Sequence, residues 1–93
     1  MLERAREAVR EIPANRYLGP LRGIPYAPKD ILATRGILTT NGSRVTADRI
    51  PDYESTITER LNRAGAILMG KLNLLEFSMG SGVFSGFGPV RNP

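Results

Sequence analysis

The residues of this chain best suited to proton transfer are its two lysines, Lys29 and Lys71. Thirteen residues are basic, and eleven of these are arginine. Arginine stays protonated, whereas a desolvated lysine can give up its proton and serve as a base. Composition alone does not separate a retained lysine from chance. There is no histidine and no cysteine, which excludes a Ser-His-Asp triad, a thiol nucleophile and a thiolate or imidazole metal site within these residues. What remains is a serine activated by a lysine, a known variant of nucleophile plus base. The serines are Ser43, Ser55, Ser78, Ser81 and Ser85. None lies in a Gly-x-Ser-x-Gly elbow, and Ser81, in Met-Gly-Ser-Gly, comes nearest. The chain offers a base without a convincing nucleophile.

Lys29 closes the stretch GPLRGIPYAPKD, residues 19–30. Pro25 and Pro28 lack a backbone donor and hold φ near the extended region, and residues before a proline are pushed the same way. Ile24, Tyr26 and Pro28 alternate with Pro25, Ala27 and Lys29, which predicts a short strand with the lysine at its end. Two prolines confine such a strand to an edge or to its first residues.

The other elements follow in order. Residues 2–12 predict a helix with Leu2, Ala5, Ala8, Val9 and Ile12 on one face and charges on the other, ended by Pro13. Arg35-Gly36 and Asn41-Gly42 predict turns, and Ser43 is expected to bond nearby backbone, not to act as a nucleophile. Ile57, Leu61 and Ala64 predict a second helix with Gly65 as its stop. Asp52 or Thr56 is its expected cap, and Thr56-x-x-Glu59 matches a capping box. Residues 66–69 predict a short buried strand, so that helix, glycine and strand form half of an α/β unit. Residues 72–77 are apolar enough for one or two helical turns. Residues 80–88 are rich in glycine.

Two nucleotide-binding patterns fail on inspection. Gly65-x-x-x-x-Gly70-Lys71 has Leu72 where a P-loop needs Ser or Thr for magnesium, and its spacer is an apolar strand. The later glycines miss G-x-G-x-x-G, because Ser85 stands at the third glycine position.

A net charge of +4 spread over arginines interleaved with acids, with no basic stripe carrying aromatics, argues against nucleic-acid binding. Ninety-three residues make at most one small domain. The longest clearly apolar run, residues 66–69, is far short of the ~20 residues a membrane span needs. A cytoplasmic location is the default expectation.

Together the segments GPLRGIPYAPKD (19–30), TRGILTTNGS (34–43), RLNRAGAILMGKLN (60–73), LLEFSMGS (74–81) and FGPVRNP (87–93) resemble the amidase signature family, in order and spacing. The resemblance covers nearly everything after Leu18. It implies an α/β fold, a mixed β-sheet covered by helices, of which residues 1–18 would be a leading helix and linker and residues 19–93 the start of the amidase domain. It implies a serine amidase working through a Ser-Ser-Lys triad and an acyl-serine intermediate, without a cofactor or metal. Lys29 would be the triad lysine, desolvated and relaying a proton through a bridging serine to the nucleophile. Ser78, Met79, Gly80 and Ser81 would line the substrate cleft, and Lys71 and Glu76 would be structural. The match departs at Pro28, where the family usually has a branched aliphatic residue. Both triad serines belong to a segment that follows FGPxRNP in the family. The expectation is therefore roughly the first fifth of an amidase, inactive by itself. A small-molecule amide is the implied substrate, with further copies or amidotransferase subunits as partners. The amidase subunit of a tRNA-dependent amidotransferase and a non-catalytic remnant are the rival readings.

Overall fold

The computed structural model describes residues 2–13, 19–79 and 85–91. The expected first helix is present as α1, Leu2–Glu11. Its apolar face is covered over only part of its width: Ala8 is buried, while Leu2 and Val9 are exposed. Ile12 lies beneath Gly23, where an added Cβ would come within 3.0 Å of the Ile12 Cδ1. The helix is also held by charge, because the Arg22 guanidinium is buried and pairs with Glu11.

The strand expected around Lys29 is short. β1, Pro25–Tyr26, pairs in parallel with β2, Ile67–Leu68, and an isolated parallel bridge joins Lys29 to Leu72 further on. The ladder is interrupted at Pro28 but resumes directly after it. The Pro28 carbonyl accepts from the Leu72 amide at 2.9 Å, a bond that needs no donor from proline.

Helix α2, Thr56–Arg63, leads into β2 through Gly65, so the helix–glycine–strand order read from the sequence holds. Gly65 has φ +90°, and a Cβ there would meet the Arg22 Cα at 3.0 Å, so a residue with a side chain would both strain the backbone and push on the loop opposite. The cap is neither Asp52 nor Thr56. Ser55 caps α2, its hydroxyl accepting from the Thr58 amide at 3.3 Å. The buried face also differs from the apolar one expected. Thr58 is fully buried and donates to the Ala33 carbonyl at 3.0 Å, whereas Ile57 is exposed.

Residues 72–77 do not form the expected helical turns. Leu72 is taken by the bridge, and only a single 3-10 turn, Glu76–Ser78, follows. Phe77 and Ser78 have φ of +50° and +57°, a left-handed conformation that cannot propagate a right-handed helix. The Phe77 amide instead donates to Asn41 O at 2.8 Å. The expected turns at Gly36 and at Asn41-Gly42 both have positive φ. Among the described residues no helix is long and apolar enough to cross a membrane.

Candidate active site

Lys29 lies three residues beyond the end of β1, at its parallel bridge to Leu72. Pro28 is buried and Lys29 is exposed, as alternation along an extended chain requires. Two backbone bonds fix its Cα: Leu72 N donates to Pro28 O and Asp30 N donates to Leu72 O, both at 2.9 Å. Its side chain has no hydrogen-bond or ion-pair partner among the described residues. It opens onto a cleft of about 350 Å³ lined by Asn73, Leu74, Leu75, Ser85, Gly88, Pro89 and Val90. The expected desolvation is therefore not supplied by these residues. Lys29 is open to solvent.

The second lysine stands in the opposite situation. Lys71 Nζ donates to Leu32 O at 2.7 Å and to the hydroxyls of Thr34 and Thr39, each at 2.9 Å. Asp30 Oδ1 lies 3.3 Å away, and the two side chains are only 11% and 14% exposed. Burial pulls the Lys71 ammonium below the ordinary lysine value, and contact with Asp30 pushes back against that shift. With three donors and three acceptors this ammonium is saturated. Lys71 is a structural cation, and it has no free donor or lone pair to offer a substrate.

The polar network reaches further through Asp30 and Ser43. Asp30 Oδ2 accepts from the Thr40 amide at 3.0 Å and from the Thr40 hydroxyl. Ser43 is fully buried, accepts from the Val45 amide at 3.2 Å and donates to Glu76 Oε1 at 2.7 Å. It is the turn hydroxyl anticipated from Asn41-Gly42, with an added tie to the 3-10 turn. Gly42, at φ +68°, passes so close to residue 74 that a Cβ would lie 2.8 Å from Leu74 O.

Of the expected substrate-binding residues, Ser78 and Met79 are exposed and lie outside the Lys29 cleft. Gly80 and Ser81 fall outside the described residues. Sequence reasoning did not single out Asn73 or Ser85 as neighbours of the lysine. Ser85 Oγ donates to Asn73 Oδ1 at 3.0 Å, and Asn73 Nδ2 donates to Gly88 O at 3.1 Å. The signal available for them was their place in or beside two of the matching segments, GKLN and FGPVRNP, which fold against each other here.

A family model described as Amidase matches residues 1–93. The chain belongs to the amidase family. Its curated relatives include the A-type subunit of the glutamyl-tRNA(Gln) amidotransferase from Salinispora tropica, 48% identical over 98% of this chain and 20% of the relative. Among solved structures, the peptide amidase from Stenotrophomonas maltophilia superposes with a TM-score of 0.72 at 38% identity, over 82% of this chain and 15% of that one. The corresponding glutamyl-tRNA(Gln) amidotransferase subunit from Thermotoga maritima gives 0.71 at 30% identity, over 95% and 23%. The chain thus spans about a fifth of the length of the curated relatives it matches. The amidase-family α/β architecture is present over that fifth: a two-stranded parallel sheet with helices beside it.

Proposed function

We propose that this chain is the N-terminal part of a carbon–nitrogen hydrolase, an amidase, and that Lys29 is the base of its Ser-Ser-Lys triad. The observation that carries this is the contrast between the lysines. Lys29 has a fixed Cα and an ammonium without a hydrogen-bond partner among the described residues, at the edge of a cleft, while every donor of Lys71 is used. In this reading a neutral Lys29 takes a proton from a bridging serine as that serine takes one from the nucleophile. The nucleophile oxygen bonds the carboxamide carbon, the C–N bond breaks, and the nitrogen leaves with the relayed proton as ammonia or an amine. Water then cleaves the acyl-serine. Both serines, and the cover that would desolvate Lys29, belong to the four-fifths of the family length outside these residues. Ser78, Met79, Gly80 and Ser81 are proposed to contact the substrate once that length is in place.

The test is Lys29→Ala in the whole protein with a simple carboxamide. Loss of the general base is expected to lower kcat by about 10²–10⁴-fold with the fold intact. Activity close to that of the unsubstituted enzyme would refute the assignment.

The names of the relatives favour a second reading, in which the whole protein is the amidase subunit of a tRNA-dependent amidotransferase that passes ammonia to a partner protein. A cytoplasmic location goes with it. Copurification of a stable partner, with ammonia transferred and not released, would support it over a stand-alone amidase acting on a small amide.

A further inference from the structure

The strand pair changes register between Tyr26 and Lys29. Tyr26 faces Leu68, but Lys29 faces Leu72, so three steps along the first strand match four along the second. The extra residue is a bulge within 69–71. It falls where Pro28 has no amide to donate, the one place where the ladder already lacks a bond. The bulge has a large effect on side-chain direction. Facing residues of a strand pair share a side of the sheet, and a shift of one residue sends a side chain to the other side. An unbroken register would set Lys71 opposite Lys29 on the same face. The bulge turns Lys71 away, to the face of Asp30.

There Lys71 ties three loop acceptors, Leu32 O, Thr34 Oγ1 and Thr39 Oγ1, to the strand end. Asp30 Oδ2 is held by Thr40, and Asp30 Oδ1, without a hydrogen bond among the described residues, lies 3.3 Å from the Lys71 ammonium. The pair therefore clamps both strands within one residue of the Lys29–Leu72 bridge. No side-chain hydrogen bond or ion pair among the described residues holds Lys29 itself, so its direction follows the backbone that this clamp fixes.

We propose that Asp30 and Lys71 are positioning residues for Lys29: the bulge places them on the opposite face of the strands, where their ion pair and its threonine partners hold the Lys29 backbone and aim its side chain into the cleft. The inference rests on Lys29 being the base.

The experiment compares Asp30→Asn and Lys29→Ala in the whole protein, measuring kcat and KM on a carboxamide alongside circular dichroism. Asparagine retains an oxygen for Thr40 but presents no charge to Lys71. A misaimed base is expected to cost up to about 100-fold in kcat. KM should stay within about threefold, because substrate binding is untouched. If Asp30→Asn does not fold, Thr34→Val takes its place; it removes one acceptor from Lys71 at nearly constant volume, and the same kcat-specific loss is expected. A folded variant with unchanged kcat, or with a loss confined to KM, overturns the positioning role. If Lys29→Ala is inactive while Asp30→Asn is fully active, the base assignment stands and only the clamp fails. If Lys29→Ala keeps its activity, both fail.

Discussion

At the scale of single residues, two lysines of the same type stand in opposite surroundings. Lys71 is nearly buried and fully bonded, and removing it would leave Asp30 facing an uncompensated gap. Lys71→Met in the whole protein is expected to cost about 3–5 kcal/mol in chemical denaturation, the usual penalty for breaking a buried pair from one side. The pH dependence of Lys71 has a definite sign. Burial lowers its folded value below 10.5, so the fold carries the cost of the buried charge at neutral pH. As pH rises past the lowered value toward 10.5, the folded chain releases its proton first and the unfolded chain binds more protons. Stability contributed by this site therefore rises over that window. Melting curves of the unsubstituted protein should gain on those of Lys71→Met as alkaline pH is approached, and a steady or shrinking difference would contradict the burial. The scarcity of lysine was legible in the sequence; which lysine was free and which was committed depended on partners 32 to 39 positions away.

At the scale of elements, the helices were readable because their periodicity and stop signals are local. Residues 2–12 and the run into Gly65 needed only a 3.6-residue repeat and a terminator. The cap of α2 shows where local reading stops. Ser55, Thr56 and Asp52 all suit an N-cap by type, and Ser55 was chosen by a neighbour, since its own amide donates to Ala33 O at 2.9 Å and Thr58 then reaches the same carbonyl. Ser55→Ala is expected to destabilise by about 1 kcal/mol, and Thr56→Ala by much less, in denaturant titrations of the whole protein. Equal effects would place the cap elsewhere. The failure of residues 72–77 to form the expected helical turns has the same origin. The hydrophobicity there is real, but Leu72 is claimed by the bridge and Phe77 by Asn41 O, and long-range backbone bonds outweigh a weak helical preference. Asn62 joins the elements in a further way that no pattern shows, accepting from Arg4 of α1 at 3.2 Å and from the Tyr26 hydroxyl at 3.0 Å while donating to Glu54 at 3.0 Å.

At the scale of the whole molecule, the interior is small and rich in hydroxyls. The largest fully buried side chains are Thr34, Thr39, Thr58 and Ser43. Large apolar groups such as Ile24, Leu38, Ile57, Leu72 and Phe87 are exposed. The radius of gyration, 15.4 Å, exceeds the roughly 12 Å of a compact domain of this length. A two-stranded sheet with few buried apolar side chains lacks the neighbours that independent stability requires. The 93-residue stretch by itself is expected to melt without a cooperative transition. A sharp calorimetric peak from the isolated monomer would count against that.

The amino-acid sequence alone carried helices α1 and α2 and the turns, which rest on residue types and short spacings that survive without a fold, and its matching segments carried the family and, through that resemblance, Lys29 as the candidate base. It also determined that no histidine or thiol chemistry operates within these residues. Only the tertiary structure decided that Lys71 is buried beside Asp30 and turned away from Lys29. That outcome hangs on a one-residue bulge opposite Pro28. Strand register is a relation between two segments far apart in the chain, so neither segment encodes it alone, and a single step of it reverses the face on which a charge falls.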